Sequence, residues 1–334
     1  MRLNRGQAQS LLQRIAGQKV AVLGDVMLDE YLFGEVNRIS PEAPVPIVRV
    51  TREQAVLGGA ANVAANLKAL GAEPILVGTL QKDNAGLRLL GLLQGLGIPV
   101  GGLVMDETRP TIIKTRVIGQ QQQMLRIDRE ESSPLGAAAL KQLRDRLDEA
   151  LVGASALIVS DYAKGTINAM IMEAVRNLCT LRTLPWIVDP KPDHRAFYRG
   201  ATLMTPNLKE AAEMARLPVR TDAEVAAAGR CILADLDLQG LLVTRSEKGM
   251  ALFAPKADHT EPWLIPTEAR EVFDVSGAGD TVIAALSAAI AAGADWREAA
   301  MFANAAAGIV VAKIGTATAT PAEILANFHE QEAN

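Results

Sequence analysis

The sequence predicts an α/β fold: a mainly parallel central sheet with helices on both faces, plus a small β lid. Three observations predict it. Short apolar strands alternate with helix-length segments between residues 19 and 244. Apolar residues make up 49% of the 334 but aromatics only 4%, so Ala, Val, Leu and Ile must fill the core, as suits a sheet covered on both faces. Two β-rich stretches break the alternation and read as excursions from the main sheet. No repeat, low-complexity tract or linker divides the chain, which reads as one domain over residues 1–334.

The elements follow in order. Lys19 to Gly24 (KVAVLG) is a buried strand, and Asp25 and Asp29 follow its carboxyl end, where ligands collect in open α/β sheets. Residues 31–50, with Pro41, Pro44 and Pro46, form the first lid excursion. Gly58-Gly59 opens a helix that closes at Gly71. A strand at 74–78 and a helix at 84–96 precede the second excursion, 105–129, a hairpin-like pair around Gly119. Next come helix 134–152, strand 156–160, helix 166–181, strands 186–189 and 201–204, helices 208–216 and 222–235, and strand 240–244. A hairpin at 249–265 and two Ala-rich helices, 277–292 and 296–312, complete the pattern. Small residues on that helix pair suit close packing on the sheet.

Composition excludes several classes. The net charge is −4 and no Lys/Arg run occurs, which argues against nucleic acid as partner. Cys179 and Cys231 read as free thiols in apolar segments. His194, His259 and His329 are scattered, a poor basis for a metal site. No signal-peptide pattern opens the sequence, and Thr281 to Ala294 is too short to span a bilayer. A soluble protein of the reducing cytoplasm is expected, with no membrane partner.

The strongest chemical signal is Asp274 to Asp280, DVSGAGD. Its small residues, Ser276, Gly277, Ala278 and Gly279, let backbone amides converge on an anion at a helix N-terminus. Asp280 follows in the first helical turn. An acceptor for a hydroxyl proton beside donors for a migrating phosphoryl group is what phosphoryl transfer needs. The string alone also fits a plain Gly-rich helix start with a favourable first-turn acid. It is neither a P-loop nor a complete dinucleotide fingerprint.

DVSGAGD resembles the C-terminal signature of the PfkB carbohydrate kinases, and Gly58-Gly59 with Asn62 resembles their N-terminal one. The two lie more than 200 residues apart, as in that family. Thr205 to Glu210 (TPNLKE) resembles the family's NxxE segment, and Val243 to Met250 (VTRSEKGM) its nucleotide strand and turn. The resemblance covers nearly the whole chain and implies a ribokinase-like fold and an ATP-dependent sugar kinase. GDVMLDEYLFG, Asn37 to Pro46, LGGAANVAANLKALG, QQMLRIDRE, SDYAKG and VDPKP further resemble the heptose 7-phosphate kinases of lipopolysaccharide biosynthesis. The implied reaction is phosphorylation of D-glycero-β-D-manno-heptose 7-phosphate at O1. No HxGH-type motif is present, so the stand-alone kinase form is expected, with a separate adenylyltransferase.

The resemblance implies roles. Asp280 is the expected general base, and Ser276 to Gly279 the anion hole. Val275 stands where the family often has Thr. Asp29 and Asp25 are expected sugar-hydroxyl acceptors, although Asp25 reads equally as a turn residue. Gly58, Gly59, Asn62 and Asn66 would approach the sugar; helix packing is the alternative for both Asn residues. Lys191 and Arg126 lead the cations for the 7-phosphate, with Lys164, Arg38, Lys114 and Arg116 behind; each also reads as a solvated surface charge. Asn207 and Glu210 would organise Mg²⁺ through water, or form a capping box, or both. Thr244, Ser246 and Gly249 would line ATP, and Asn304 with Lys313 to Thr316, including Gly315, would approach adenine. Potassium activation, seen in parts of the family, is left open. Lid closure and a lid-mediated homodimer are expected. The competing readings are another PfkB kinase, a sugar or nucleotide sensor without a need for Asp280, and an NAD-dependent oxidoreductase, which lacks its opening strand-GxGxxG-helix unit.

Overall fold

The computed structural model describes residues 3–120, 122–254, 261–269, 272–313 and 315–332, without the side chains of 329–332. Helix α1 (Arg5–Ile15) comes first. It is absent from the sequence reading, yet its signals are present: Asn4 and Gln7 form a reciprocal cap, and Ala8, Leu11, Leu12 and Ile15 bury one face. Strand β1 (Lys19–Gly24) follows. After Asp25 alone, the chain enters β2 (Val26–Ile39) and returns along β3 (Pro46–Gly59). The lid therefore begins at Val26, earlier than the expected 31, and ends at Gly59. Residues 26–30 follow the carboxyl end of the first strand in the sequence and carry no turn signal of their own. Cross-strand pairing from Val26↔Gly59 to Ile39↔Pro46 makes them part of a lid strand.

Helix α2 (Ala60–Ala69), β4 (Glu73–Leu80), α3 (Asn84–Gly95) and β5 (Leu103–Met105) return to the body. Because β5 pairs with β4, the second excursion starts at 112, not 105. It comprises β6 (Ile112–Gly119) and β7 (Gln122–Arg129). Then come α4 (Ala137–Ala150), β8 (Ala156–Ser160), α5 (Ala169–Arg182), β9 (Trp186–Asp189), β10 (Leu203–Met204), α6 (Leu208–Ala215), α7 (Asp222–Leu236) and β11 (Gly240–Thr244). The chain closes with β12 (Met250–Phe253), β13 (Trp263–Ile265), α8 (Ala278–Ala291), α9 (Trp296–Val310) and α10 (Pro321–Glu332). Part of the hairpin expected at 249–265 lies outside the described residues.

Nine strands form the main sheet in the order β13-β12-β11-β10-β9-β8-β1-β4-β5. All pairings from β11 to β5 are parallel; β12 and β13 are antiparallel. Strand β1 shows why both faces are covered. Val20 and Val22 pack with α1, α2, α8 and α9, whereas Ala21 and Leu23 pack with α4, α5 and α7. The lid is a four-stranded sheet, β3-β2-β6-β7. Among the described residues no helix is long and apolar enough to cross a membrane.

Two glycines make a test of this packing. A Cβ on Gly240 at the start of β11 would stand 1.8 Å from the Trp296 ring, whereas one on Gly91, on the exposed face of α3, meets nothing within 4 Å. Gly240→Ala is expected to cost about 1–3 kcal/mol through overpacking. Gly91→Ala is expected to gain roughly 0.5–1 kcal/mol. Urea unfolding of the two variants checks both signs.

Candidate active site

Asp280 sits in the first turn of α8 and is 4% exposed. Both carboxylate oxygens receive donors. Asn62 Nδ2 donates to Oδ2 at 2.7 Å, and the Tyr162 hydroxyl to Oδ1 at 2.8 Å. Burial raises its pKa from 3.8 to about 6, against the pull of these two hydrogen bonds; Asp29 adds to the rise and Lys191 opposes it. Asn62 is itself oriented: Asn66 Nδ2 donates to its backbone carbonyl at 2.9 Å, and Thr281 Oγ1 donates to Asn66 Oδ1 at 2.8 Å. Asn66 thus joins α2 to α8 behind the site and does not face a sugar, whereas Asn62 reaches the Asp280 carboxylate.

The anion hole differs in detail from expectation. The Ser276 amide donates to Asp274 Oδ1 at 2.8 Å and the Ala278 amide to the Val275 carbonyl at 3.2 Å. The amides of Gly277 and Gly279 have no such partner among the described residues. Gly277 has φ +76, and a Cβ there would meet Asn62 Nδ2 at 2.9 Å; a Cβ on Gly279 would face open space. The turn caused by Asp274 therefore narrows the available donors from four residues to the two glycines, at the end of the α8 dipole.

Asp29 lies on β2 and pairs with Arg116 Nη1 at 2.8 Å. Gly58 on β3 pairs with Met27, two residues before Asp29, and a Cβ there would stand 2.8 Å from Asp29 Oδ2. Gly59 caps α2 with φ +54, against the Asp25 carbonyl. Asp25 itself is a correction. Its side chain is fully buried and accepts the amides of Tyr162, Lys164 and Thr166 at 2.9, 3.0 and 3.1 Å. It clasps the loop after β8 and presents no oxygen to a sugar. Burial, and then the Asp161 charge, raise its pKa.

The expected phosphate cations scatter. Lys114 and Lys164 converge on Glu130 at 3.3 and 2.6 Å. Arg126 binds Asp128 in a bidentate pair at 2.9 and 3.0 Å and is half exposed. Arg38 pairs with Ile47 toward the far tip of β2, well along the lid from Asp29. Lys191 Nζ bonds Glu210 at 2.8 Å and stands over the Tyr162 ring at 5.4 Å. Glu210 and Asn207 form the capping box of α6, each accepting the other's amide at 3.0 Å.

Two residues had gone unassigned. Tyr162 and Asp189 lie inside the strings SDYAKG and VDPKP, but nothing local marks a tyrosine or an aspartate as facing Asp280 across the sheet. Asp189 ends β9; burial, and then Glu210 and Asp280, push its pKa well up, with Lys191 opposing. This carboxylate cluster is the donor type that a hard cation takes through water. Among the described residues no group of three His, Cys, Asp or Glu closes a direct metal site. His259 and the His329 side chain lie outside those residues.

Beside Gly279 opens a cavity of about 500 Å³, a size suited to a nucleotide. Thr244, Ser246, Gly249 and Asn304 line it, with Val275, Val282 and Val311 as apolar walls. The Asn304 amide is committed to the Pro266 carbonyl at 2.8 Å, fixing the wall. Lys313 departs from expectation: its ammonium binds the Thr318 carbonyl at 2.8 Å and Glu323 at 2.6 Å, beside α10. Gly315 donates to Asp274 at 2.9 Å and lies near Tyr31, so this segment borders the α8 N-terminus and the lid and does not line the cavity. Ile314 lies outside the described residues.

The pfkB family carbohydrate kinase profile matches residues 17–323. Bifunctional protein HldE of Trichlorobacter lovleyi is 44% identical over 324 residues; the match covers 97% of this chain and 65% of that protein. D-beta-D-heptose 7-phosphate kinase of Bordetella bronchiseptica is 46% identical over 313 residues, covering 93% of this chain and 96% of that one. The fold is ribokinase-like: Arabidopsis thaliana ribokinase, complexed with ribose and ATP, superposes with TM-score 0.73 at 21% identity over 93% of this chain and 99% of its own. Escherichia coli phosphofructokinase-2 gives 0.79 at 18% identity over 94% and 99%. A family match over most of its length, with a relative covered nearly end to end, shows that the chain belongs to the pfkB family of carbohydrate kinases.

Proposed function

We propose that the chain, acting as one kinase domain, transfers the γ-phosphoryl group of ATP to O1 of D-glycero-β-D-manno-heptose 7-phosphate, giving the 1,7-bisphosphate. The observation that carries the chemistry is the buried, doubly hydrogen-bonded Asp280 beside the free glycine amides of α8. Likeness to the Bordetella kinase supports the substrate. In this reading Asp280 accepts the O1 proton as O1 bonds to the γ-phosphorus. The bond from that phosphorus to the β–γ bridging oxygen breaks, and ADP leaves. Gly277 and Gly279 N–H groups meet the charge on the transferring group. Asp29 orients sugar hydroxyls, and Thr244, Ser246 and Gly249 hold the nucleotide.

Asp189, Glu210 and Asn207 would hold Mg²⁺ through water, and the ion would neutralise phosphate charge. The Asp274 carboxylate and the buried Thr316 hydroxyl, which has no hydrogen-bond partner among the described residues, suit a monovalent cation such as K⁺. Two unpaired thiols suit a reducing cytoplasm. An adenylyltransferase activity acting on the product completes the proposal.

The lid supports a homodimer. Strand β7 is an exposed sheet edge carrying Met124, Leu125 and Ile127, which are 42%, 56% and 51% exposed. Light scattering should give twice the monomer mass; a monomer at assay concentration overturns the dimer.

Asp280→Asn should lower turnover by about 10²–10⁴-fold with nucleotide affinity little changed. ATP consumption is compared on heptose 7-phosphate, ribose, fructose 6-phosphate and mannose. Asp280-dependent turnover of a different sugar sinks the heptose assignment and keeps the kinase; no turnover at all sinks both. The same variant tests the buried charge. The folded pKa lies above the unfolded value, so stability is fully present below about pH 4 and is lost as pH rises through about 6. Removing the charge should therefore raise Tm more at pH 8 than at pH 5.

Tyr162→Phe deletes a hydrogen bond that favours ionised Asp280. The acid limb of kcat/KM, near pH 6, should move upward relative to wild type. Taking the ratio of the two profiles cancels the titration of the substrates, and an unmoved limb would remove Tyr162 from this role.

A further inference from the structure

Lys114 and Lys164 come from different parts of the molecule. Lys114 stands on lid strand β6; Lys164 stands on the loop after β8 in the body. Both point at one carboxylate, Glu130, just past the end of β7, with Asp128 a further 3.5 Å neighbour of Lys114. The group is mostly withdrawn from solvent: the side chains of Lys114, Lys164 and Glu130 are 13%, 20% and 23% exposed. Exposed ion pairs are common and contribute little, but two half-buried ammonium groups on one carboxylate are a built arrangement.

Its base is rigid. Asp25 accepts the Lys164 amide, and buried Arg109 donates to the Lys164 carbonyl at 3.1 Å. The position is equally defined. Lys114 is the register partner of Asp29 on parallel strands, so the two share a face of the lid about one strand spacing, ~4.8 Å, apart. Arg116, two residues along β6, touches Asp29. Asp29 is close enough to Asp280 to raise its pKa. Moving outward from the base, one therefore meets Asp29 and then the two lysines. On the other side Lys164 is two residues from Tyr162, which touches Asp280. A sugar with its reacting hydroxyl at Asp280 would extend its far end across this path.

We propose that Lys114 and Lys164 form the subsite for the phosphomonoester of the sugar substrate, and that Glu130 occupies it until the phosphate displaces it. The inference rests on the phosphosugar reading above and places its phosphate. The charges fit: Lys114, Lys164 and Arg126 with Glu130 and Asp128, the acid that neighbours Lys114 and pairs with Arg126, sum to +1, whereas a phosphate monoester carries nearly −2 at neutral pH and supplies three acceptor oxygens. Lysines from the lid and the body can both reach such a group, so a phosphorylated sugar draws the two together. An unphosphorylated sugar leaves Glu130 in place. Glu130 thereby sets a threshold that only a dianion passes.

The test compares kcat/KM for heptose 7-phosphate and for free heptose. In Lys114→Met and Lys164→Met the preference for the phosphorylated sugar should fall by ~10- to 100-fold, the usual loss for a charge-assisted hydrogen bond. Lys114→Arg, which keeps the charge, should retain most of it. Glu130→Gln should move the other way, lowering KM for heptose 7-phosphate several-fold, because the internal competitor is gone. Equal losses on both sugars in Glu130→Gln would make Glu130 a strut and overturn the proposal, as would an unchanged preference in the lysine variants. A wild type that consumes no ATP with heptose 7-phosphate sinks the substrate assignment itself; a wild type that does, with variants that discriminate as before, sinks the subsite alone.

Discussion

One buried carboxylate organises the site. Asp280 lies where desolvation disfavours its charge, yet in the proposed role of base it must be ionised to accept a proton. Asn62 can offer Oδ2 only a donor, because its own oxygen lies toward the Asn66 amide. Tyr162 donates to Oδ1 from the opposite side. A directed series runs from the Thr281 hydroxyl through Asn66 and Asn62 to Asp280, tying α2 to α8. Each donor has its acceptor, so the neutral acid would leave the network with a donor too many. The α8 N-terminus supplies a further favourable field. Burial raises basicity, and the network holds the group ionised and oriented.

The same requirement explains why lid and body meet where they do. The lid leaves the sheet only one residue after β1, at Asp25, and that residue uses its whole carboxylate to shape the loop carrying Tyr162 and Lys164. Asp29, four residues on, has already crossed into the lid. Two acids from one short string thus serve different ends: Asp25 builds the loop, and Asp29 faces the site. Buried polar groups must be satisfied, and at Asp25 backbone amides did so before any ligand could.

Cations on the lid are likewise committed to acids: Arg116 to Asp29, Arg126 to Asp128, Lys114 to Glu130. In the proposed subsite, binding a phosphorylated sugar is an exchange of partners, so that selection rests on charge and geometry together.

What the sequence determined by itself was whatever local pattern carries. The alternation of apolar strands and helices specified the covered parallel sheet, DVSGAGD specified a glycine-rich helix start with Asp280 in its first turn, and the TPNLKE string specified a capping box. Such features depend on neighbours within a few residues, and their signals lie in the same window. The tertiary structure alone decided the rest. Tyr162 reaches Asp280 across 118 positions and Asn62 across 218. Whether Asp25 faces a ligand or a loop, and which carboxylate each lysine finds, depends on strand order and register. Those are set by closing many long-range contacts at once, and a side chain's partner across the sheet leaves no mark on its own stretch of sequence.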